Sequence, residues 1–265
     1  MYNLAELESA LASTIFSGKL HYLPTTASTN FDALAAARAG ATHVSVYFAD
    51  EQTAGRGRGD HGWHSATGEG LYISVLLRLQ LPAARLALLP LAAGLAAAQA
   101  IQSASGLSVD IRWPNDLLLG PRKVGGILIE AKNQSKSLPH QVVVVGVGVN
   151  VHQREFPLDL ATPATSLDLE TERRISRQSL LVALLKSLEN ETLRLSDAAA
   201  ANTLIARVEQ ASTWVLGRHV QVHGPQACDG VTAGLDENGF LRVETAAGVV
   251  IVQTGGLREK TAISR

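Results

Sequence analysis

The chain has 265 residues, 23 Lys and Arg against 24 Asp and Glu, 46% hydrophobic residues and one cysteine. Such a composition excludes a disordered or collagen-like chain, and the length can bury a full core in one large domain with a small appendage. A formal charge of -1 argues against wholesale electrostatic binding of nucleic acid or an acidic membrane, while the lone Cys228 excludes an internal disulfide and a thiolate-rich zinc site, as suits a reducing, cytoplasmic compartment.

The N-terminal stretch carries Glu6 and Glu8 and no early Lys or Arg, so it reads as a short amphipathic helix rather than a secretory signal. Ser28 and Thr29 are capping residues for a helix over 30–39. Residues 44–49 and 71–79 are β-branched or aromatic runs and read as strands. The most apolar stretch, 86–98, falls short of the roughly 20 residues of a membrane span and reads as part of a buried helix over 90–103. Residues 127–131 and 142–149 are again strands, buried on both faces, and 175–195 is a helix by its apolar spacing. Strict βαβ alternation is missing, which favours an α+β sheet with helices on one face. The run Ala198 to Ala201 reads as a helix near a domain boundary. After Trp214 four short strands about ten residues apart, with turns such as Asp236-Glu237-Asn238-Gly239, read as a small β-barrel of about fifty residues. The expected domains are 1–214 and 215–265.

Four clusters could carry chemistry. In Gly55-Arg56-Gly57-Arg58-Gly59, preceded by Gln52, glycines allow close backbone approach and two guanidiniums can grip phosphate or carboxylate; a flexible surface loop is the alternative. In Arg112-Trp113-Pro114-Asn115-Asp116 the proline stiffens a turn, and Asp116 could hold a divalent metal or orient a lysine. Lys123, one of only six lysines, stands at the mouth of the 127–131 strand behind Gly125 and Gly126, placed to stabilise developing phosphate charge. In Gly146-Val147-Gly148-Val149-Asn150 glycines interrupt a valine strand, which signals a bulge, a ligand against the backbone, or a closely packed helix. Cys228 reads as a small buried hydrophobe. His21, His43, His61, His64, His140, His152, His219 and His223 show no metal-ligand spacing, and Trp63 and Trp113 read first as core aromatics, with walling of a ligand site the alternative.

Taken in order, Ser28-Thr29-Asn30, Gln52 through Arg58, Trp113-Pro114-Asn115-Asp116, Lys123 through Leu128 and Gly146 through Asn150 resemble the motifs of the biotin protein ligases. The resemblance spans nearly the whole chain. It implies a central mixed β-sheet backed by helices, of the class II synthetase-like biotin/lipoate ligase fold, followed by an SH3-like barrel. It also implies formation of biotinyl-5′-AMP from biotin and ATP with Mg²⁺, then transfer to one lysine of a biotin carboxyl carrier domain. By the same resemblance Ser28, Thr29, Asn30, Gln52, Gly55, Arg56, Gly126, Leu128, Gly146 and Gly148 surround biotin. Arg56, Arg58, Trp63, Asn115, Asp116 and Asn150 serve the adenylate, and Lys123 touches both biotin carboxylate and α-phosphate. Lys123, Arg58 and Asp116 are the expected catalytic set, with Asp116 positioning metal or amine. The segment 156–167 is expected to include a loop over the adenine, mobile without ligand.

The sequence departs from the family where Gly59-Asp60-His61-Gly62-Trp63 follows the arginines in place of further basic residues, which lowers the charge of the loop that should retain the adenylate. About 25 residues precede Ser28, too few for the DNA-binding domain of repressor-type members, so a monofunctional ligase without operator binding is expected. Pairing of two copies through a sheet edge is open, with 142–149 either that edge or a buried central strand. The rivals are a lipoate or octanoate ligase of the same fold and a sensor that binds without turnover.

Overall fold

A computed structural model describes residues 2–41, 44–59, 61–132, 141–158 and 160–260. The expectations for His43 and His140, and the effect of Asp60 on loop charge, lie outside these residues.

The chain begins with α1 (Leu4–Ala10), capped by the Asn3 side chain, which accepts from Glu6 N. Strands β1 (Leu20–Thr26) and β2 (Val44–Gln52) run parallel around α2 (Thr29–Arg38), and β3 (Gly70–Leu79) turns back antiparallel to β2. Next come α3 (Ala83–Ala87), α4 (Leu89–Ser105), the hairpin β4 (Asp110–Arg112) and β5 (Asp116–Leu119), then β6 (Arg122–Lys132) and β7 (Gln141–Asn150). These strands form one mixed sheet in the order β1-β2-β3-β7-β6-β5-β4. Helices α5 (Leu167–Thr171), α6 (Arg177–Ser196), α7 (Ala198–Ala201) and α8 (Leu204–Gln210) lead to β8 (Leu216–His223), β9 (Cys228–Leu235), β10 (Leu241–Thr245), β11 (Gly248–Val252) and β12 (Gly256–Glu259). The last five make an antiparallel sheet, β11-β10-β9-β8-β12, the small SH3-like appendage, and β12 is a strand the sequence did not announce.

Strand β7 explains its own composition. It lies between β3 and β6, so both faces are covered and a nearly solid valine run is what burial requires. It is therefore not an edge available for pairing of two copies. Val143, Val145 and Val147 join the large core with α4 and α6, whereas Val142 and Val144 pack with Leu76 against Ala33 and Ala37 of α2. Helices thus cover both faces, against the expectation of one, because alternate valines of a central strand need a hydrophobic partner on each side. Pairing of β3 with β7 runs unbroken from Gly70 opposite Asn150 to Leu79 opposite Gln141, so Gly146 and Gly148 mark no bulge.

The apolar segment Arg85–Ser105 is longer than expected: at 21 residues with mean hydropathy 1.5, it has the length and composition to cross a membrane. Here its leucines and alanines are packed in the core against α6. Each fully buried leucine there contributes about 1.5–3 kcal/mol. The second sheet shares this core through Val220, Val222, Leu241 and Val243. Trp113 is buried and its Nε1 donates to Gly239 O at 3.0 Å. Gly239, at φ +79°, brings that turn so close to α4 that an added Cβ would lie 2.7 Å from Leu91. Cys228 is only partly buried, not the core residue expected.

Candidate active site

A cavity of about 620 Å³ opens where the N-terminus of α2, the central strands and the second sheet meet. Every described residue to which the family resemblance assigns a binding or catalytic role lines it except Gly55, which lies one layer behind: an added Cβ there would meet Trp63 O at 2.4 Å and Ser65 Oγ at 2.7 Å.

One end of the cavity is neutral and hydrogen-bonding. Ser28 occupies the N-cap position of α2, yet its side chain makes no capping bond, and Thr29 is already helical. The Thr29 N–H donates to Gln52 Oε1 at 2.9 Å, and Thr29 Oγ1 lies 3.1 Å from the same oxygen and 2.7 Å from Ser74 Oγ. Ser74 donates to Asn30 Oδ1, Asn30 Nδ2 donates to Glu130 Oε2, and Gln52 Nε2 donates to Ser65 Oγ. The glycines of β7 are placed for this floor. A Cβ on Gly146 would fall 2.2 Å from Asn30 Oδ1, so Gly146 admits a packed helix, and one on Gly148 would fall 2.6 Å from the Trp63 indole. Trp63 is only partly buried and walls the cavity over Gly126 and Gly148.

The other end is cationic. Trp113, Pro114 and Asn115 form the turn between β4 and β5, with a cis Trp113–Pro114 bond, and the hairpin sets Arg112 directly opposite Asp116. Asp116 Oδ1 meets Lys123 Nζ at 2.5 Å, and Oδ2 meets Arg112 Nη2 at 2.6 Å and Nε at 3.1 Å. Burial works to raise the Asp116 carboxyl, but the charges of Lys123 and Arg112 outweigh it and hold the group below the ordinary carboxylate range. Both carboxylate oxygens of Asp116 are thus engaged by cations, and the Lys123 ammonium is held by one of them. Among the described residues no group of three or more His, Cys, Asp or Glu is placed to hold a metal.

Backbone contacts fix Lys123 as well. Its N–H donates to Pro163 O at 2.8 Å and its carbonyl accepts from Thr165 N at 2.9 Å, while Asn150 Nδ2 donates to Thr165 O at 3.0 Å and Arg112 to Thr162 Oγ1 at 2.8 Å. Residues 162–165, part of the 156–167 segment expected to include a loop over the adenine, are thus bonded down beside Lys123. Asn150 braces that segment. The Gly-Arg stretch is likewise a small hairpin: Gly57 N donates to His61 O, Trp63 N donates to Gly55 O, and Arg56 bridges Gly62. Arg58 donates to Asn115 Oδ1 at 3.0 Å and, across to the second sheet, to Gly255 O at 2.9 Å and Thr254 Oγ1 at 3.3 Å. Arg56 instead reaches Glu130 at 3.1 Å, and Lys123 Nζ stands 5.5 Å from the centre of the Trp63 ring.

Sequence reasoning named Arg112 within a cluster but gave it no role, and passed over Ser74, Glu130, Thr162 and Thr254. A hydroxyl at Ser74 and a carboxylate at Glu130 inside apolar strands were signals, since polar groups there need a partner. Thr162 and Thr254 gave none, because tertiary contact alone brings them in. His152, left without a role, is held by Asp168 at 2.8 Å.

A family model described as the biotin/lipoate A/B protein ligase family matches residues 24–150. The biotin–[acetyl-CoA-carboxylase] ligase of Mycobacterium tuberculosis is 32% identical over 245 residues, covering 89% of this chain and 87% of that one. The chain belongs to the biotin protein ligase family. The bifunctional ligase/repressor BirA of Bacillus spizizenii is 31% identical over 92% of this chain and 75% of its own. The Aquifex aeolicus biotin protein ligase solved in complex with biotin and ATP superposes with a TM-score of 0.78 at 29% identity, over 91% of this chain and 99% of that one. This ligase is an enzyme that joins biotin to protein at the expense of ATP, and the cavity is its candidate active site.

Proposed function

We propose that biotin lies with its ureido head on the floor made by Ser28, Thr29, Asn30 and Gln52, its rings in the slot bounded by Gly126, Leu128, Gly146 and Gly148, and its carboxylate directed to Lys123. ATP then takes the cationic end, with Arg56, Arg58, Asn115 and Trp63 around the phosphates and adenylate. The observation that carries this reading is the polarity of this cavity, a neutral hydrogen-bonding floor at one end and an Asp116-held lysine at the other.

A carboxylate attacking an α-phosphate is an anion approaching an anion, so fixed cations lower the barrier where charge gathers. The carboxylate oxygen bonds to the α-phosphorus, the bond to the β-phosphate oxygen breaks, and pyrophosphate leaves with that electron pair. In the second step the acceptor lysine amine, having lost its proton, attacks the acyl carbon and AMP departs with the C–O pair. Mg²⁺ arrives on the ATP phosphates as part of the substrate, since Asp116 is committed to Lys123 and Arg112. Ligase relatives named for acetyl-CoA carboxylase point to the biotin carrier domain of a biotin-dependent carboxylase as acceptor. We place the catalytic unit in 1–214, the appendage in 215–265, and the enzyme in the cytoplasm, in keeping with its lone cysteine.

ATP–pyrophosphate exchange, run separately with biotin, lipoate, octanoate and no acid, tests the reading. Exchange with biotin alone supports it. Exchange with lipoate or octanoate refutes the assigned head group, whose floor would set polar groups against hydrocarbon, and biotin binding without exchange marks a sensor.

A further inference from the structure

The direction of the protons along Asn30, Ser74 and Thr29 follows from Glu130 on β6. Its Oε1 takes Arg56 Nη1 at 3.1 Å and its Oε2 takes Asn30 Nδ2 at 2.8 Å. An ionised carboxylate only accepts, so Asn30 must turn its NH₂ to Glu130 and its Oδ1 to Ser74. Ser74 has one hydroxyl hydrogen and spends it on Oδ1, 2.5 Å away. Thr29 must therefore donate across the 2.7 Å contact to Ser74. The Thr29 hydroxyl, also 3.1 Å from Gln52 Oε1, has one hydrogen; with it directed to Ser74, Gln52 Oε1 receives only the Thr29 backbone N–H, and Gln52 Nε2 gives one of its two hydrogens to Ser65. The floor thus keeps spare acceptor capacity at Gln52 Oε1 and Thr29 Oγ1.

We propose that Glu130 is a positioning residue that sets the hydrogen-bond direction along Asn30, Ser74, Thr29 and Gln52, and so makes the floor selective for a ligand that brings N–H donors. The inference rests on the biotin reading above, whose cyclic urea supplies such donors. Arg56 is part of the device. In Glu130→Gln the side chain has one oxygen; the Arg56 cation claims it, so the new NH₂ faces Asn30. Asn30 then flips to accept, Ser74 donates to Thr29, and Thr29 donates to Gln52 Oε1. The whole chain reverses and the spare acceptor is filled.

The test compares calorimetric Kd values for biotin and for cyclic-carbamate analogues in which a ring oxygen replaces one ureido N–H. Wild type should prefer biotin by on the order of tenfold to a hundredfold, because the carbamate oxygen meets an acceptor. Glu130→Gln should cut that ratio by about tenfold with little change in melting temperature. Arg56→Met in the same chain should restore the ratio, because the amide oxygen is freed for Asn30. Ser74→Ala, which cuts the chain, should lower the ratio alone and leave nothing further for Glu130→Gln to change. A wild-type ratio in Glu130→Gln, or no recovery on adding Arg56→Met, overturns the proposal, since a merely structural Glu130 would weaken both ligands alike. A wild type that binds biotin and carbamates equally overturns the ureido reading itself, and the proposal with it.

Discussion

Replacing Asp116 with Asn tests whether this carboxylate serves Lys123 or a metal. The side chain touches Lys123 Nζ at 2.5 Å and Arg112 at 2.6 and 3.1 Å, and the three side chains are 18%, 27% and 10% exposed. Removing one partner of a well-buried ion pair costs about 3–5 kcal/mol. Partial exposure and the acceptor that Asn keeps reduce this to about 2–3 kcal/mol, or a fall in Tm of roughly 5–10 °C for a chain of this size. Lys123 loses the group that aims it, and misplacement of about 1 Å is enough for a loss of around a hundredfold in turnover. Pyrophosphate exchange should therefore collapse in kcat while the Kd for biotin alone changes little, because the ureido floor lies elsewhere. Raising Mg²⁺ should not restore the rate; recovery at high Mg²⁺, or an unchanged kcat, would refute the lysine-orienting role. The pH dependence has a definite sign. The folded Asp116 carboxyl titrates below its unfolded value, the lysine and arginine charges outweighing its burial, so its stabilisation is complete above the ordinary carboxylate range and disappears as pH falls through the folded value. The Tm gap between wild type and variant should hold constant near neutrality and close in acid.

Lys123→Ala should lower adenylate formation by about a hundredfold or more, the scale of a lost transition-state donor, with melting within a few degrees of wild type; near-normal turnover would remove Lys123 from the chemistry. Arg58→Ala breaks the ties to Asn115, Thr254 and Gly255, so biotinyl-5′-AMP should leave faster in a release assay; an unchanged release rate would count against the loop as the retaining element. Gly148→Ala puts a methyl 2.6 Å from the Trp63 indole and should cost about 1–3 kcal/mol as the loop shifts. Biotin KM should rise, and wild-type KM and Tm together would mean that Trp63 moves freely.

The sequence by itself determined the parts whose cause is local. The continuous β-branched and apolar runs in 142–149 and 71–79 mark strands buried on both faces, and the helical spacing in 175–195 marks a helix whose apolar face is written in period 3.6. The Gly-Arg, Trp-Pro-Asn-Asp and Lys-Val-Gly-Gly stretches were legible because charge and glycine beside buried strands have few structural uses. Tertiary structure decided what depends on residues far apart in the chain. The β4–β5 hairpin and the strand start at Arg122 converge on Asp116, and only that meeting turns a carboxylate open to metal into one that holds Lys123. The same holds for Asn30 and Glu130, a hundred positions apart and 2.8 Å from each other. Whether α2 lies above or below the sheet could not be read from its own weak amphipathicity; it was fixed by which valines of β7 remained to be covered. Thr254 and Gly255 reach the site for a similar reason, since the second sheet is docked by Trp113 and the Gly239 turn, contacts that no neighbouring residue announces.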